Sequence, residues 1–152
     1  MKLSIGCDEA AFTLKEIIKQ YLEEKGIDIE DFGTYGADEK ILYPDVAVKV
    51  AQSVSEGECE RGILLCGTGI GMAMSANKVP GIRAAVCHDI YSTERSRKSN
   101  NAQIMCMGAR IIAPELAKLL VDTWLNCEFE GGGSQDKVDK MAEYEQSFIC
   151  KC

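Results

Sequence analysis

The stretch "RGILLCGTGIGMAMSANK", Arg61–Lys78, decides the fold. An apolar run ends in a cysteine, turns through Gly67, Gly69 and Gly71, and enters a segment of helical period. A strand over 61–66 that feeds a helix over 69–78 is the opening half of a βαβ unit. The same alternation recurs on both sides of it. "KLSIGC" (2–7), "DIEDFG" (28–33), "IRAAVC" (82–87) and "AQIMCMG" (102–108) read as four further strands. Between them, Leu14, Ile17, Ile18 and Leu22 repeat at helical spacing, and Pro44-Asp45 opens a second helix through Val46, Val50 and Val54. Further helices are predicted over 90–99 and 114–126. After the flexible "FEGGGS" (129–134), a polar C-terminal helix spans 135–148 and is expected to pack on a partner or on the domain edge.

Strands alternating with helices imply right-handed crossovers, and so an α/β fold: a single doubly wound, Rossmann-like sheet of five parallel strands with helices on both faces. The 152 residues are read as one domain over 1–152. In such sheets ligands bind at the carboxyl ends of the strands. Cys7-Asp8-Glu9, Cys66-Gly67-Thr68 and His88-Asp89 each follow a strand, and are expected to share one crevice.

The glycine turn is not a dinucleotide fingerprint, because Met72 stands where the third glycine is needed, and it lacks the Gly-Lys-Ser/Thr ending of a P-loop. Two readings remain. Its N–H groups can converge on an anion or a developing oxyanion, with Cys66 at the entrance favoured as thiolate and able to act as base or nucleophile. Alternatively the glycines pack helix against sheet, and Cys66 is a core residue like the other strand-end cysteines. Asp8 divides in the same way between general acid-base work and capping the helix that follows. His88 reads as a helix-entry residue or a titrating group, and Met72, Met74, Met105 and Met107 as core packing.

A net charge of −7 argues against nucleic acid, whose phosphates call for clustered Lys and Arg. No apolar stretch is long enough to span a bilayer, and a cytoplasmic location is expected. Most of the eight cysteines fall in apolar runs, as reduced core thiols do. Cys150-Lys151-Cys152 has no companion cluster that would complete a metal site.

Taken together, "GCDEAAFTLKE" (6–16), "DFGT" (31–34), "YPDVA" (43–47), "GILLCGTGIGMAMSANKVPGIRAAVC" (62–87) and "NNAQIMCMGAR" (100–110) resemble the type B ribose-5-phosphate isomerase family, which includes the galactose-6-phosphate isomerase chains. The resemblance runs over nearly the whole chain. It implies aldose-ketose isomerisation of a sugar phosphate without metal or cofactor, in a homodimer or homotetramer with active sites shared between subunits. By that resemblance Cys66 is the base and Thr68 the assisting hydroxyl. The amides around Gly67, Gly69, Ile70 and Gly71 are the enediolate cradle, and Tyr43, Asn100 and Arg110 line the site, the last two from a neighbouring subunit.

Three departures bear on the substrate. Asp8-Glu9 stands for the family's Asp-His, Ser99 for the histidine that opens the sugar ring, and Gly131-Gly132-Gly133-Ser134 followed by Lys137 for "GGRH" and arginine. Serine cannot titrate near neutrality, so ring opening would fall to Asp8 or Glu9, or the substrate is already open-chain. A tetrose phosphate, its terminal hydroxyl phosphorylated, cannot close to a furanose. Loss of a guanidinium fork leaves Arg110 and the point charge of Lys137 as phosphate contacts. The leading expectation is a sugar-phosphate isomerase of divergent substrate. A non-catalytic partner subunit of the same fold and an isomerase of an unphosphorylated sugar stay open beside it.

Overall fold

The computed structural model describes residues 1–150; Lys151 and Cys152, and with them half of the Cys150–Cys152 pair, lie outside the described residues. Five strands form one parallel sheet: β1 (Lys2–Cys7), β2 (Asp28–Asp31), β3 (Arg61–Cys66), β4 (Ala84–Val86) and β5 (Ile104–Gly108), in the order β2-β1-β3-β5-β4. The helices are α1 (Phe12–Glu24), α2 (Tyr43–Ser55), α3 (Ile70–Ala76), α4 (Ile90–Lys98), α5 (Pro114–Leu125) and α6 (Gln135–Ile149). No helix among the described residues is long and apolar enough to cross a membrane.

The central strands β1, β3 and β5 are buried on both faces, as parallel strands under crossover helices are, while the edge strands β2 and β4 are only partly covered. Leu3, Ile5, Cys7, Ile63, Leu65, Met105 and Met107 point to one side, where they pack with Leu14, Ile18, Leu120 and Trp124 of α1 and α5. Leu64, Cys66, Ile104 and Cys106 point to the other, against Val46 and Val50 of α2 and Met72 and Ala76 of α3. The period-2 alternation of each strand thus feeds two separate cores. Strand order reverses between β1 and β3, and there the chain ends of both strands open a crevice.

The shorter strands end earlier than their apolar runs. β2 closes at Asp31 because Phe32, Gly33 and Thr34 turn to bond across the end of β1: Phe32 N–H donates to the Ile5 carbonyl and Thr34 N–H to that of Cys7. Lys15 of α1 is fully buried against this turn, its Nζ within 3.0 Å of both Asp31 carboxylate oxygens and 2.8 Å from the Thr34 carbonyl. α6 lies on the domain edge. Only Val138 is buried, the Glu145 carboxylate accepts from Gly81 N–H, and Met141, Tyr144 and Ile149 are exposed.

One expectation fails in the core. Met72, Met105 and Met107 are fully buried, but Met74 is exposed, because two residues along a seven-residue helix is about half a turn.

Candidate active site

The Cys66–Gly69 loop is held from behind by the end of β5. Ala109 N–H donates to the Cys66 carbonyl at 2.8 Å and Arg110 N–H to that of Gly67 at 3.1 Å. Gly69 takes φ +76°, and a Cβ there would stand 3.0 Å from the Met107 backbone, so this position needs glycine for both reasons. A Cβ on Gly108 would meet the Thr68 backbone at 2.7 Å. The two backbones touch, and that contact sets where the loop lies.

So placed, the loop turns its donors on the cysteine. Gly69 N–H donates to Cys66 Sγ at 3.0 Å, and Ile70 N–H to Thr68 Oγ1 at 3.3 Å. The first helical bond of α3 runs from Ala73 N–H to the Gly69 carbonyl, which leaves the N–H groups of Gly71 and Met72 without intrahelical partners. Tyr43, at the start of α2, lies over Gly71; a Cβ there would come within 2.7 Å of the ring.

A cleft of about 460 Å³ opens on these groups, lined by Asp8, Glu9, Tyr43, Cys66, Thr68 and Arg110 together with Ala10, Gly67, Ile70, Gly71 and Met74. Asp8 makes the anticipated cap and also borders the cleft. Its carboxylate accepts from Ala10 N–H at 3.0 Å, capping the 3-10 turn Glu9–Ala11, and still faces the cleft. Burial, reinforced by the charge of Glu9, raises its pKa above the ordinary aspartate value against the pull of the Ala10 and Ala11 amides and of Arg110.

The other strand-end thiols are different in kind. Burial pushes Cys7 up to about 12, raises Cys87, and raises Cys106 well above the ordinary thiol value, so these three stay protonated. Cys66, itself only 5 % exposed, is the one of the four that opens on the cleft.

Several expected residues are elsewhere. Arg110, which the resemblance placed on a neighbouring subunit, lies within its own chain's cleft, because its bond to the Gly67 carbonyl carries the side chain over that glycine. Ser99, Asn100 and Lys137 do not line this cleft: Asn100 borders a separate one with Arg83 and Arg95, the Ser99 hydroxyl accepts from Arg95, and Lys137 is exposed on α6. His88-Asp89 is not in the crevice either. Asp89 caps α4 by accepting from Ser92 N–H at 2.7 Å, and His88 Nε2 accepts from Gly108 N–H at 2.8 Å, behind the loop. No sequence pattern signalled that bond, since a lone histidine's partner depends on which strand β4 pairs with.

The ribose/galactose isomerase family model matches residues 3–141, an interval that spans the sheet, the loop and the cleft. The chain belongs to this family. It is 56% identical over 146 residues to a protein of Listeria innocua named ribose-5-P isomerase B, covering 96% of this chain and 98% of that one. It is 54% identical over 145 residues to the D-erythrulose-4-phosphate isomerase of Pectobacterium atrosepticum, covering 95% of each. The solved ribose-5-phosphate isomerase B of Clostridium thermocellum superposes with a TM-score of 0.95 at 46% identity, over 97% of this chain and 99% of that one. The protein is an isomerase of the ribose-5-phosphate isomerase B type, and the five-stranded parallel sheet is that family's fold.

Proposed function

We propose that the chain interconverts an aldose phosphate and a ketose phosphate through a cis-enediolate, with Cys66 as the base that moves the proton between the two carbons. The observation that carries this reading is the 3.0 Å bond from Gly69 N–H to Cys66 Sγ at the floor of the cleft. A donor aimed at sulfur stabilises negative charge there, as a cysteine acting as base requires. Removal of the proton beside the carbonyl sends charge to the substrate oxygens, where pre-placed amides stabilise the transition state more than the ground state. The Gly71 amide, which has no intrahelical partner, and those of Gly67 and Thr68 are the donors in reach, while the Gly69 and Ile70 amides are engaged by Cys66 Sγ and Thr68 Oγ1. Thr68 Oγ1 already accepts from Ile70, which leaves its own hydroxyl proton to donate to a substrate oxygen. Asp8, its pKa raised by burial, is suited to pass the second proton from one oxygen to the other.

Arg110 supplies the cationic contact of its own chain's cleft. Ser99, Asn100 and Lys137 lie outside that cleft and reach a site only in a homodimer or homotetramer, a state supported by the exposed apolar residues of α6. The chain acts as one domain in a reducing, cytoplasmic compartment, where its buried thiols stay free.

For the substrate, we favour an acyclic four-carbon ketose phosphate. Such a molecule needs no ring opener, and the chain carries Ser99 and Glu9 where a titrating imidazole would serve a cyclic pentose. The relative named for D-erythrulose 4-phosphate is 54% identical. Steady-state kcat/KM over tetrulose, pentose and hexose phosphates tests this: the tetrulose phosphate is expected to lead. An equal or higher value with ribose 5-phosphate overturns the assignment.

A further inference from the structure

The chain has one histidine, and it stands outside the cleft but in contact with what builds it. β4 ends at Val86, and Cys87 N–H makes the last backbone bond toward β5, to the Cys106 carbonyl at 2.9 Å. Gly108 N–H, the next donor on that edge of β5, finds no strand to accept it. The His88 ring replaces the missing backbone acceptor, with Nε2 at 2.8 Å. On its other side the same turn bears on the catalytic loop, through the Gly108–Thr68 backbone contact and the Ala109 and Arg110 bonds to Cys66 and Gly67.

We propose that neutral His88 is a positioning residue for the isomerase site: its Nε2 anchors Gly108, and protonation of the ring releases the turn that holds the Cys66–Gly69 loop. The proposal rests on the function given above for Cys66. An imidazole nitrogen accepts a hydrogen bond only while it carries no proton; His88⁺ would set one N–H against another. Burial of the ring favours the accepting state. Burial lowers the His88 pKa below the ordinary histidine value, and the Asp89 carboxylate beside it opposes that shift. Cys87, the residue before His88, is a thiol raised by burial and so neutral. Arg110, on the turn after β5, holds its guanidinium over Gly67 on the cleft, which His88 does not line. A proton added to the ring as pH falls therefore acts at a distance, through Gly108, on a base and a cradle it does not touch.

A single histidine makes the test direct. In the wild-type protein, the His88 ring resonance and the Gly108 and Thr68 amides are followed by NMR from pH 8 to pH 5. All three are expected to move with one midpoint, below the ordinary histidine value. A Gly108 amide that stays still while the ring titrates overturns the proposal, whatever the enzyme turns out to isomerise. Kinetics supply the second readout. His88→Gln offers an acceptor that cannot be protonated, and is expected to keep activity at pH 8 while losing the acid limb of kcat that matches the ring's midpoint. His88→Ala leaves Gly108 N–H unpaired, and its kcat is expected to fall on the order of tenfold at every pH with KM unchanged. An acid limb that survives in His88→Gln belongs to another group and contradicts the assignment.

Discussion

Gly108→Ala puts one methyl group where the catalytic loop leans on the sheet. Its Cβ would stand 2.7 Å from both Cα and the carbonyl carbon of Thr68, and 2.8 Å from Ile111 Cγ1. Ile111 is largely exposed and can rotate away, but the Thr68 backbone cannot. Ordinary contact begins at 3.4 Å, so the loop must retreat by 3.4 − 2.7, or 0.7 Å. Overpacking of this kind costs about 1–3 kcal/mol of stability. The larger effect is on the chemistry. In the proposed mechanism Thr68 supplies the assisting hydroxyl and Gly69 the amide held on Cys66 Sγ, and a displacement approaching 1 Å costs on the order of 10²-fold in rate. The assay is kcat and KM at pH 8 beside a urea unfolding curve, with Gly36→Ala as the control because nothing lies within 4 Å of a Cβ there. Gly108→Ala is expected to lose kcat about a hundredfold while remaining folded, and Gly36→Ala to match wild type. A folded Gly108→Ala enzyme with unchanged kcat would refute the claim that this backbone contact sets the loop.

Other substitutions test the surroundings. Lys15→Met removes a fully buried ammonium from the carboxylate of Asp31, which is itself only 10 % exposed, and is expected to cost about 3 kcal/mol in urea unfolding. Burial works to raise the Asp31 pKa, but the bonds from Lys15 and Lys19 and from Gly33 N–H prevail and hold it below the ordinary carboxylate value. Its contribution is therefore present above the unfolded carboxylate range and lost as pH falls through the depressed folded value. Unfolding midpoints between pH 7 and pH 3 should fall less steeply in Asp31→Asn than in wild type. Gly71→Ala drives a methyl into the exposed Tyr43 ring, which can swing aside. Stability should stay within about 1 kcal/mol of wild type, with KM rising as the ring leaves its place over the cleft.

Strand and helix order was legible because both faces of the sheet centre are covered, which makes β3 and β5 largely apolar runs bounded by glycine or a polar residue, whereas β2, "DIED", is an edge strand with one apolar residue. "RGILLC" matches β3 residue for residue. "IRAAVC" overran β4 by two residues at its start and one at its end: the chain leaves the sheet edge while β5 still offers Gly108 N–H, which His88 takes, and the strand's own residues do not encode that departure. The Cys66 loop could be read locally because its glycines, hydroxyl and thiol are contiguous. Arg110 and His88 could not. One swings over Gly67 and the other under Gly108 through pairings between β3, β5 and β4, which are set by strand order. Ser99, Asn100 and Lys137 were grouped with the site by resemblance, and one chain leaves them outside its cleft.

The central claim is that Cys66 carries the proton. Incubation of wild type, Cys66→Ala and Cys66→Ser with the tetrulose phosphate in deuterated water, followed by NMR at the carbon beside the carbonyl, tests it most directly. Wild type is expected to convert substrate and incorporate solvent deuterium there, and both variants, folded and binding substrate, are expected to do neither at a measurable rate. Undiminished incorporation in folded Cys66→Ala would contradict the account.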